Sequence, residues 1–278
     1  MKKFHPEHVN ACMEDFEGNN GIGRYIFLPG SDGRAKEIAE GFSNVIVKEH
    51  SRRHNLYKGV MAYGGKKIDA AVISTGMGAP SLDIIATELI SLGAKRFLRV
   101  GTCGPLQDYM KMGDFVIATS AVRDDGTTQC YMPLEIPALA SFDTILAAER
   151  AAARLRYTDR TYYGVVHSKS SLYGREFSHE SPLRKANADY MRILKESGVI
   201  ASEMETAILF VLASLKNAVL KPSKGVASVK AGAVCVAVTE GDKFVDKKRG
   251  AIITADLLNF SLAIIGEMAL KELKDITP

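Results

Sequence analysis

Short apolar runs and amphipathic stretches alternate along most of the chain. Runs rich in β-branched and aromatic residues have strand length, and they predict strands at 24–28, 45–48, 56–63, 68–74, 97–100, 115–122, 162–167 and 231–238. The stretches between them predict helices, one starting near Ser31 or Asp32 and others near 82–92, 144–155, 183–197, 202–215 and 250–274. This alternation is typical of an α/β fold, so we expect a three-layer α/β/α arrangement with a central mixed, twisted sheet.

No linker, repeat or low-complexity segment divides the sequence, so we expect residues 1–278 to form a single domain. Residues 1–20 are polar and predict an N-terminal arm that packs against another surface. Residues 216–230 include Pro222 and Gly225 and predict an exposed loop.

The composition narrows the class of protein. With 278 residues, of which 46% are hydrophobic and 24% charged, the chain can bury a large core. Its net charge of +4 is small and its basic residues are spread out, which disfavours nucleic acid as a partner. The first residues lack the apolar run of a signal peptide, and the longest apolar runs are too short to cross a bilayer, so we expect no membrane contact. Four widely spaced cysteines predict reduced thiols in the cytoplasm, without a disulfide framework or metal site.

The stretch AKRFLRVGTCG, residues 94–104, places chemistry at the end of a buried strand. Arg99 lies inside the apolar run, and a buried arginine needs an anion, either a structural carboxylate or a bound ligand. Thr102 and the neighbouring glycines stop the strand, and in α/β sheets ligands collect at the carboxyl ends of strands.

Three further stretches offer similar groups. PGSDGR contains Gly30 and Arg34, the basic patch before residue 56 contains Arg53, and STGMGAPS supplies backbone N–H groups in front of a predicted helix. Each arginine alone is most often structural or solvated. If they converge, they describe a site for a dianion such as phosphate, held by charge-assisted hydrogen bonds.

The order LPGSDGR, STGMGAPS, RVGTCG and SEMETA resembles the nucleoside phosphorylases of the trimeric or hexameric type, and especially their uridine-cleaving members. This resemblance implies phosphorolysis of a nucleoside to free base and ribose 1-phosphate, with phosphate as co-substrate and no cofactor. It implies a phosphate pocket formed by Gly30, Arg34, Arg99 and Thr102, completed by Arg53 or Arg52 of a neighbouring subunit. A homo-oligomer is therefore expected, with a dimer as the minimal active unit and a hexamer as the whole assembly.

The resemblance also implies a ribose site formed by Thr102, Met204 and Glu205. His5 of a neighbouring subunit would complete it, with His8 as the alternative. On a helix, Glu203 and Glu205 would point to different faces, so we expect Glu205 alone to bind the sugar. Its carboxylate would accept the ribose hydroxyls and stabilise positive charge that develops on the sugar.

The base site departs from the pattern of the uridine-cleaving members. The residues expected there are Gly104, Tyr173, Arg175 and Glu203, with Arg175 replacing a glutamine and Phe177 or Glu180 replacing an arginine. Glu240 stands where purine-cleaving relatives carry a catalytic aspartate, although it also fits a surface acid. Uridine is the expected substrate, while a purine nucleoside phosphorylase and a non-catalytic nucleoside-binding protein stay open as alternatives.

The full set of expected catalytic residues is Arg34, Arg99, Arg175, Glu205 and Glu240. His54 stands where some relatives place a cation-binding glutamate, so no metal ion is expected.

Overall fold

The computed structural model describes residues 4–177, 180–220, 229–241 and 243–274. The strands are β1 (Tyr25–Pro29), β2 (Ser43–Lys48), β3 (Leu56–Tyr63), β4 (Lys66–Ile73), β5 (Arg96–Pro105), β6 (Phe115–Asp124), β7 (Ala138–Leu139), β8 (Thr161–Lys169), β9 (Ala201–Glu203), β10 (Lys230–Ala237), β11 (Thr239–Glu240) and β12 (Lys243–Phe244). The α-helices are α1 (Asp32–Ala39), α2 (Ala79–Ser91), α3 (Phe142–Leu155), α4 (Leu172–Arg175), α5 (Arg184–Glu196), α6 (Thr206–Leu220) and α7 (Lys247–Lys274).

The main sheet runs in the order β10-β6-β8-β9-β5-β1-β4-β3-β2. Strand β1 is parallel to both β4 and β5, whereas β2, β3 and β4 pair antiparallel. Strand β10 pairs with β5 as well as with β6, so β5, β9, β8, β6 and β10 form a closed ring of five strands. The predicted mixed sheet is confirmed, and the ring is a feature that apolar periodicity does not reveal.

Two apolar cores lie on opposite sides of the sheet, because neighbouring residues of a strand point to opposite faces. In β1, Ile26 and Leu28 join one core, and Tyr25 and Phe27 join the other. Helices α2 and α6 cover the first core, and α1, α3 and α7 cover the second. The expected α/β/α layering is therefore confirmed.

Helix α7 is long and apolar enough, by length and composition alone, to span a membrane. However, 56% of its apolar stretch is buried inside the protein, where Leu257, Phe260 and Ile264 pack in the second core. This burial is what the core helix of a globular domain shows.

The N-terminal arm packs on the domain through buried charges. Asp15 is 1% exposed and pairs with Lys48 of β2 and Lys58 of β3. His8 lies 2.9 Å from Glu88 of α2, and the same carboxylate accepts the backbone N–H groups of residues 7–9.

The predicted helix over 202–215 is wrong at both ends. Residues 201–203 form β9, and the helix runs from Thr206 to Leu220. The carboxylate of Glu203 accepts hydrogen bonds from the N–H groups of Glu205 and Thr206 and so caps the helix after the strand. The predicted loop over 216–230 is correspondingly shorter, since 216–220 are helical and Lys230 begins β10. Residues 221–228 lie outside the described residues.

Candidate active site

A cavity of about 420 Å³ opens where several strands of the ring and its neighbour β1 end. Gly30 follows β1, Thr102 and Gly104 lie near the end of β5, and Lys169 ends β8. The cavity is lined by Gly30, Ser31, Arg34, Gly76, Met77, Arg99, Thr102, Cys103, Gly104, Lys169, Leu172, Glu176, Phe177, Ser202, Glu203, Met204, Glu205, Val238, Thr239 and Phe244. This position, at the carboxyl ends of strands, is where α/β sheets bind ligands.

Two arginines line the cavity together with Gly30 and Thr102. Ser31 caps α1 by accepting the N–H of Arg34, and Nη1 of Arg34 lies 3.5 Å from the carbonyl oxygen of Val100. Burial lowers the pKa of Arg34, and the positive charge of Arg99 lowers it further. The two guanidinium groups are therefore close enough to repel each other, and an anion between them would relieve that repulsion.

The guanidinium of Arg99 is only partly paired. Its Nε donates to Glu203 Oε2 at 3.2 Å, and its Nη2 donates to Glu205. Burial by itself lowers the pKa of Arg99, but the charges of Glu205 and Glu203 outweigh burial and raise the pKa. Nη1 of Arg99 is buried and has no hydrogen-bond partner within the described ranges. A buried donor of this kind is costly unless something else, such as a ligand, accepts its hydrogen bond.

Glu203 and Glu205 do not separate to different helix faces, because no helix contains them. Both carboxylates reach Arg99 and both line the cavity. Glu203 is also held by the Ser168 hydroxyl and by the backbone at the start of α6. Glu205 Oε1 accepts only the Gly78 N–H among the described donors, at 2.6 Å. Gly78 has φ of 84°, a left-handed conformation that suits glycine and turns its N–H toward the carboxylate.

Comparison with known proteins decides the family. The family model described as the phosphorylase superfamily matches residues 24–242. The chain belongs to the phosphorylase superfamily. This match confirms the resemblance based on the four motifs, and with it the expectation that the chain is an enzyme.

Individual relatives agree with this assignment. The chain is 38% identical to a uridine phosphorylase of Treponema pallidum over 196 residues, which are 70% of this chain and 74% of the relative. It is 29% identical over 224 residues to a guanosine phosphorylase of Halorubrum lacusprofundi, covering 81% and 80% of the two chains. The crystal structure of a uridine phosphorylase from Vibrio fischeri, complexed with 6-hydroxy-1-naphthoic acid, matches with a TM-score of 0.71 and 23% identity over 95% of this chain and 97% of that one. That last likeness concerns the fold.

This phosphorylase brings most of the predicted phosphate and ribose residues into one cavity. Gly30, Arg34, Arg99, Thr102, Met204 and Glu205 all line it, together with the expected base-site residues Gly104 and Glu203. Their roles toward a ligand stay predictions.

Arg175, expected at the base, is not among the cavity-lining residues. Its Nε and Nη2 each lie 2.8 Å from Asp124, and its Nη1 donates to Asn187 at 2.7 Å. Its guanidinium also stacks 4.7 Å from the centre of the Tyr190 ring. These contacts hold the guanidinium of Arg175 away from the residues that line the cavity. Burial raises the pKa of Asp124, but hydrogen bonds from His167 and Arg175 outweigh it and lower the pKa.

Tyr173 and Glu240 are the other two departures from expectation. Tyr173 is 74% exposed, and Leu172 lines the cavity in its place. Glu240 is exposed on the β11–β12 hairpin opposite Lys243, while Thr239 and Phe244 of that hairpin face the cavity. The period-two alternation of a strand explains why Thr239 and Glu240 point to opposite sides.

Four residues were candidates for a neighbouring subunit's site, His5 or His8 and Arg53 or Arg52, and in the single chain none of them lines this cavity. His5 and Arg53 are exposed. The imidazole of His8 is hydrogen-bonded to the Glu88 carboxylate, so His5 is the arm histidine with fewer contacts to its own subunit. Whether these groups complete a second site stays a prediction.

Sequence reasoning missed Lys169 and Glu176, which line the cavity near Phe177 and Phe244. A lysine closing the apolar strand 161–169 is the signal that could have revealed the first of them. In the described part of the chain, no group of three or more His, Cys, Asp or Glu side chains is arranged to hold a metal ion.

Proposed function

We propose that this phosphorylase cleaves a nucleoside with inorganic phosphate, producing the free base and ribose 1-phosphate, and that uridine is its preferred substrate. The uridine phosphorylases among its relatives support this assignment, since the identity reaches 38% across most of both chains. The chemistry of the cavity supports it independently.

The observation that carries the proposal is the environment of Arg99. Its Nη1 is buried without a partner in the described ranges, its charge acts on Arg34, and Thr102 and Gly30 line the same cavity. A phosphate dianion bound there would accept hydrogen bonds from both guanidinium groups and cancel their mutual repulsion. A hydrolase that uses water would have no need for this paired positive charge.

The reaction needs orientation and electrostatic stabilisation, and these residues supply both. Arg34 and Arg99 hold phosphate so that one of its oxygens attacks the anomeric carbon as the bond to the base breaks. The carboxylate of Glu205 accepts hydrogen bonds from the ribose hydroxyls, and its negative charge stabilises the oxocarbenium-like sugar. Its hydrogen bond to Arg99 places the sugar next to the phosphate. The proposed reaction uses no cofactor.

The exposed positions of His5 and Arg53 fit a homo-oligomer in which each subunit completes its neighbour's site. A dimer is the smallest assembly that meets this requirement, and a hexamer would repeat it. The widely spaced, reduced cysteines fit a cytoplasmic enzyme.

Purine nucleosides are the second candidate substrates, because a guanosine phosphorylase is 29% identical over 81% of this chain. This alternative does not need Glu240, which is exposed and is not among the cavity-lining residues.

A phosphate-dependent assay with uridine, inosine and adenosine tests the proposal. We expect ribose 1-phosphate to form fastest from uridine, and no product to form without phosphate. Release of free base at the same rate without phosphate would overturn it.

A further inference from the structure

A buried ion pair lines the cavity at the end of β8. In the sheet, β9 and β5 separate β8 from β1, so Lys169 at the end of β8 and Gly30 at the end of β1 line different sides of the cavity. Met204 and Glu205, which follow β9, lie between these ends. If phosphate binds near β1 and ribose near β9, the base must lie against the end of β8.

Lys169 is held firmly at this place. Its side chain is 2% exposed, and its Nζ donates to the Ser202 hydroxyl at 2.8 Å and lies 2.9 Å from Glu176 Oε1. A third contact, to the backbone oxygen of Glu203, is 3.5 Å long and therefore weak. One N–H of the ammonium group is thus available to a ligand in the cavity.

Glu176 provides a complementary acceptor. Its Oε1 is buried and lies 2.9 Å from Lys169 Nζ, and no other donor in the described part of the chain reaches this oxygen, which leaves a lone pair for an N–H of a ligand. Leu172, Phe177 and Phe244 line the same end, and the two phenyl rings lie 5.8 Å apart. A donor and an acceptor side by side in an apolar slot fit a flat heterocycle.

We propose that Lys169 and Glu176 select bases with a ring N–H next to a ring carbonyl, an inference that rests on the proposed function. The ammonium group donates to the carbonyl oxygen, and the carboxylate accepts the N–H. Uracil presents this edge at N3 and C4, and hypoxanthine and guanine present it at N1 and C6. Cytosine and adenine present a bare ring nitrogen beside an amino group. The ring nitrogen would then face the carboxylate of Glu176, acceptor against acceptor, and the amino group would face the ammonium of Lys169, donor against donor.

The same contact assists the departure of the base. As the glycosidic bond breaks, its electron pair moves to the base nitrogen and spreads onto the carbonyl oxygens, while a phosphate oxygen bonds to the anomeric carbon. The ammonium group of Lys169 stabilises that anion by a hydrogen bond and keeps its own proton. The released base takes its proton from water.

The first test uses the unaltered enzyme with phosphate and five nucleosides: uridine, inosine, 3-methyluridine, cytidine and adenosine. We expect kcat/KM for 3-methyluridine and cytidine to be at least about 100-fold below that for uridine, and adenosine to be as far below inosine. If uridine is cleaved and 3-methyluridine or cytidine follows within about threefold, the role of this pair is overturned while the proposed function stands. If no nucleoside is cleaved with phosphate, the proposed function fails.

The second test uses Lys169→Met and Glu176→Gln, with the exposed Lys185→Met as the matched control. We expect K169M to lower kcat for uridine about 100-fold, and less for 5-fluorouridine, whose leaving anion needs less stabilisation. The E176Q side chain can present an amide N–H to a bare ring nitrogen. We therefore expect E176Q to lower the ratio of kcat/KM for uridine to kcat/KM for cytidine at least about tenfold. The proposal is overturned if K169M loses the same factor in kcat for uridine and for 5-fluorouridine and E176Q keeps the wild-type ratio of kcat/KM for uridine over cytidine. Both residues would then have structural roles only.

Phosphate-induced thermal stabilisation reports whether each variant is folded, since Arg34 and Arg99 stay in place. If K169M does not fold, E176Q and the substrate series decide the question without it.

Discussion

Arg99 donates through Nη2 to Oε2 of Glu205, while Nη1 of the same guanidinium is buried without a partner in the described ranges. One planar group therefore contacts the proposed ribose carboxylate and keeps an unpaired donor, which we assign to the proposed phosphate. Phosphate and sugar sites that share a rigid guanidinium are positioned relative to each other by the fold itself.

Arg99→Lys should lower kcat/KM with phosphate by about 100-fold or more, because lysine keeps the charge but cannot serve two carboxylates and an anion with one planar fork. Steady-state kinetics with varied phosphate measure the loss. Arg99→Ala should also unfold more easily, by about 3–5 kcal/mol, since it leaves the carboxylates of Glu203 and Glu205 buried without a cation. Normal phosphate kinetics in R99K would contradict the role given to this residue.

Unlike Arg99→Ala, Arg34→Gln should weaken phosphate binding without lowering the stability of the fold. Burial and the nearby charge of Arg99 already disfavour the charged form of Arg34, which is why its pKa is lowered. Removing that charge should leave the melting temperature without phosphate unchanged or slightly higher, while phosphate no longer raises it. Scanning calorimetry with and without phosphate measures both quantities. A large loss of stability in the phosphate-free variant would show that Arg34 has a structural partner instead.

Glu203→Gln should mainly lower the stability of the fold, and Glu205→Gln should mainly lower kcat. Glu203 accepts the Ser168 hydroxyl and two N–H groups that start α6, so E203Q should cost about 1–3 kcal/mol in the free energy of unfolding. In E205Q the amide oxygen can still accept the Gly78 N–H, so we expect a smaller loss of stability and a fall in kcat of about 100-fold. Urea denaturation and kcat for uridine compare the two variants, and the reverse ranking would show that the roles are exchanged.

The sequence predicted the main elements and singled out Gly30, Arg34, Arg99 and Thr102, which line one cavity, because a buried arginine and glycines at a strand end leave a local signal. Arg34 comes from a different stretch than Arg99 and Thr102, and only the pairing of β1 with β5 brings the two stretches together. The short strand β9 gives too few residues for a periodic pattern, so Glu203 and Glu205 seemed to lie on a helix. The base end depends on which side chains of α4 and of the β11–β12 hairpin turn inward. Tertiary contacts such as the pair Arg175–Asp124 decide that orientation, and no local pattern encodes them.

Arg175→Gln should weaken the fold more than the chemistry. Its guanidinium pairs with the half-buried Asp124, donates to Asn187 and stacks on Tyr190, so its loss should lower the melting temperature by several degrees. Activity measured well below that temperature should stay within about threefold of the wild type. Glu240→Gln serves as a matched control on the exposed hairpin, and we expect it to change neither the melting temperature nor the cleavage of uridine or inosine. A selective loss of inosine cleavage in E240Q would restore that residue to the site.

The stability of the domain should fall in acid, partly through Asp15. Burial raises the pKa of this carboxyl, but hydrogen bonds from Lys48 and Lys58 outweigh burial and hold the pKa well below its ordinary value of 3.8. A carboxyl group with a lowered pKa in the folded state contributes stability that is complete above the unfolded value and is lost as the pH falls toward the folded value. The contribution of Asp15 should therefore be constant from pH 7 to about 5 and decline steadily below that.

Urea denaturation of the wild type and of Asp15→Asn at pH 7, 5, 4 and 3 measures this contribution. The gap in unfolding free energy between the two proteins should be largest at pH 7 and 5 and should narrow as the pH falls, because the wild-type carboxyl becomes neutral as well. Asp108→Asn is the control, since Asp108 pairs with Lys195 on the surface with its side chain 88% exposed, and such pairs contribute little at any pH. A gap for D15N that stays constant down to pH 3 would mean that the N-terminal arm is held by packing, and that the charge of Asp15 adds nothing.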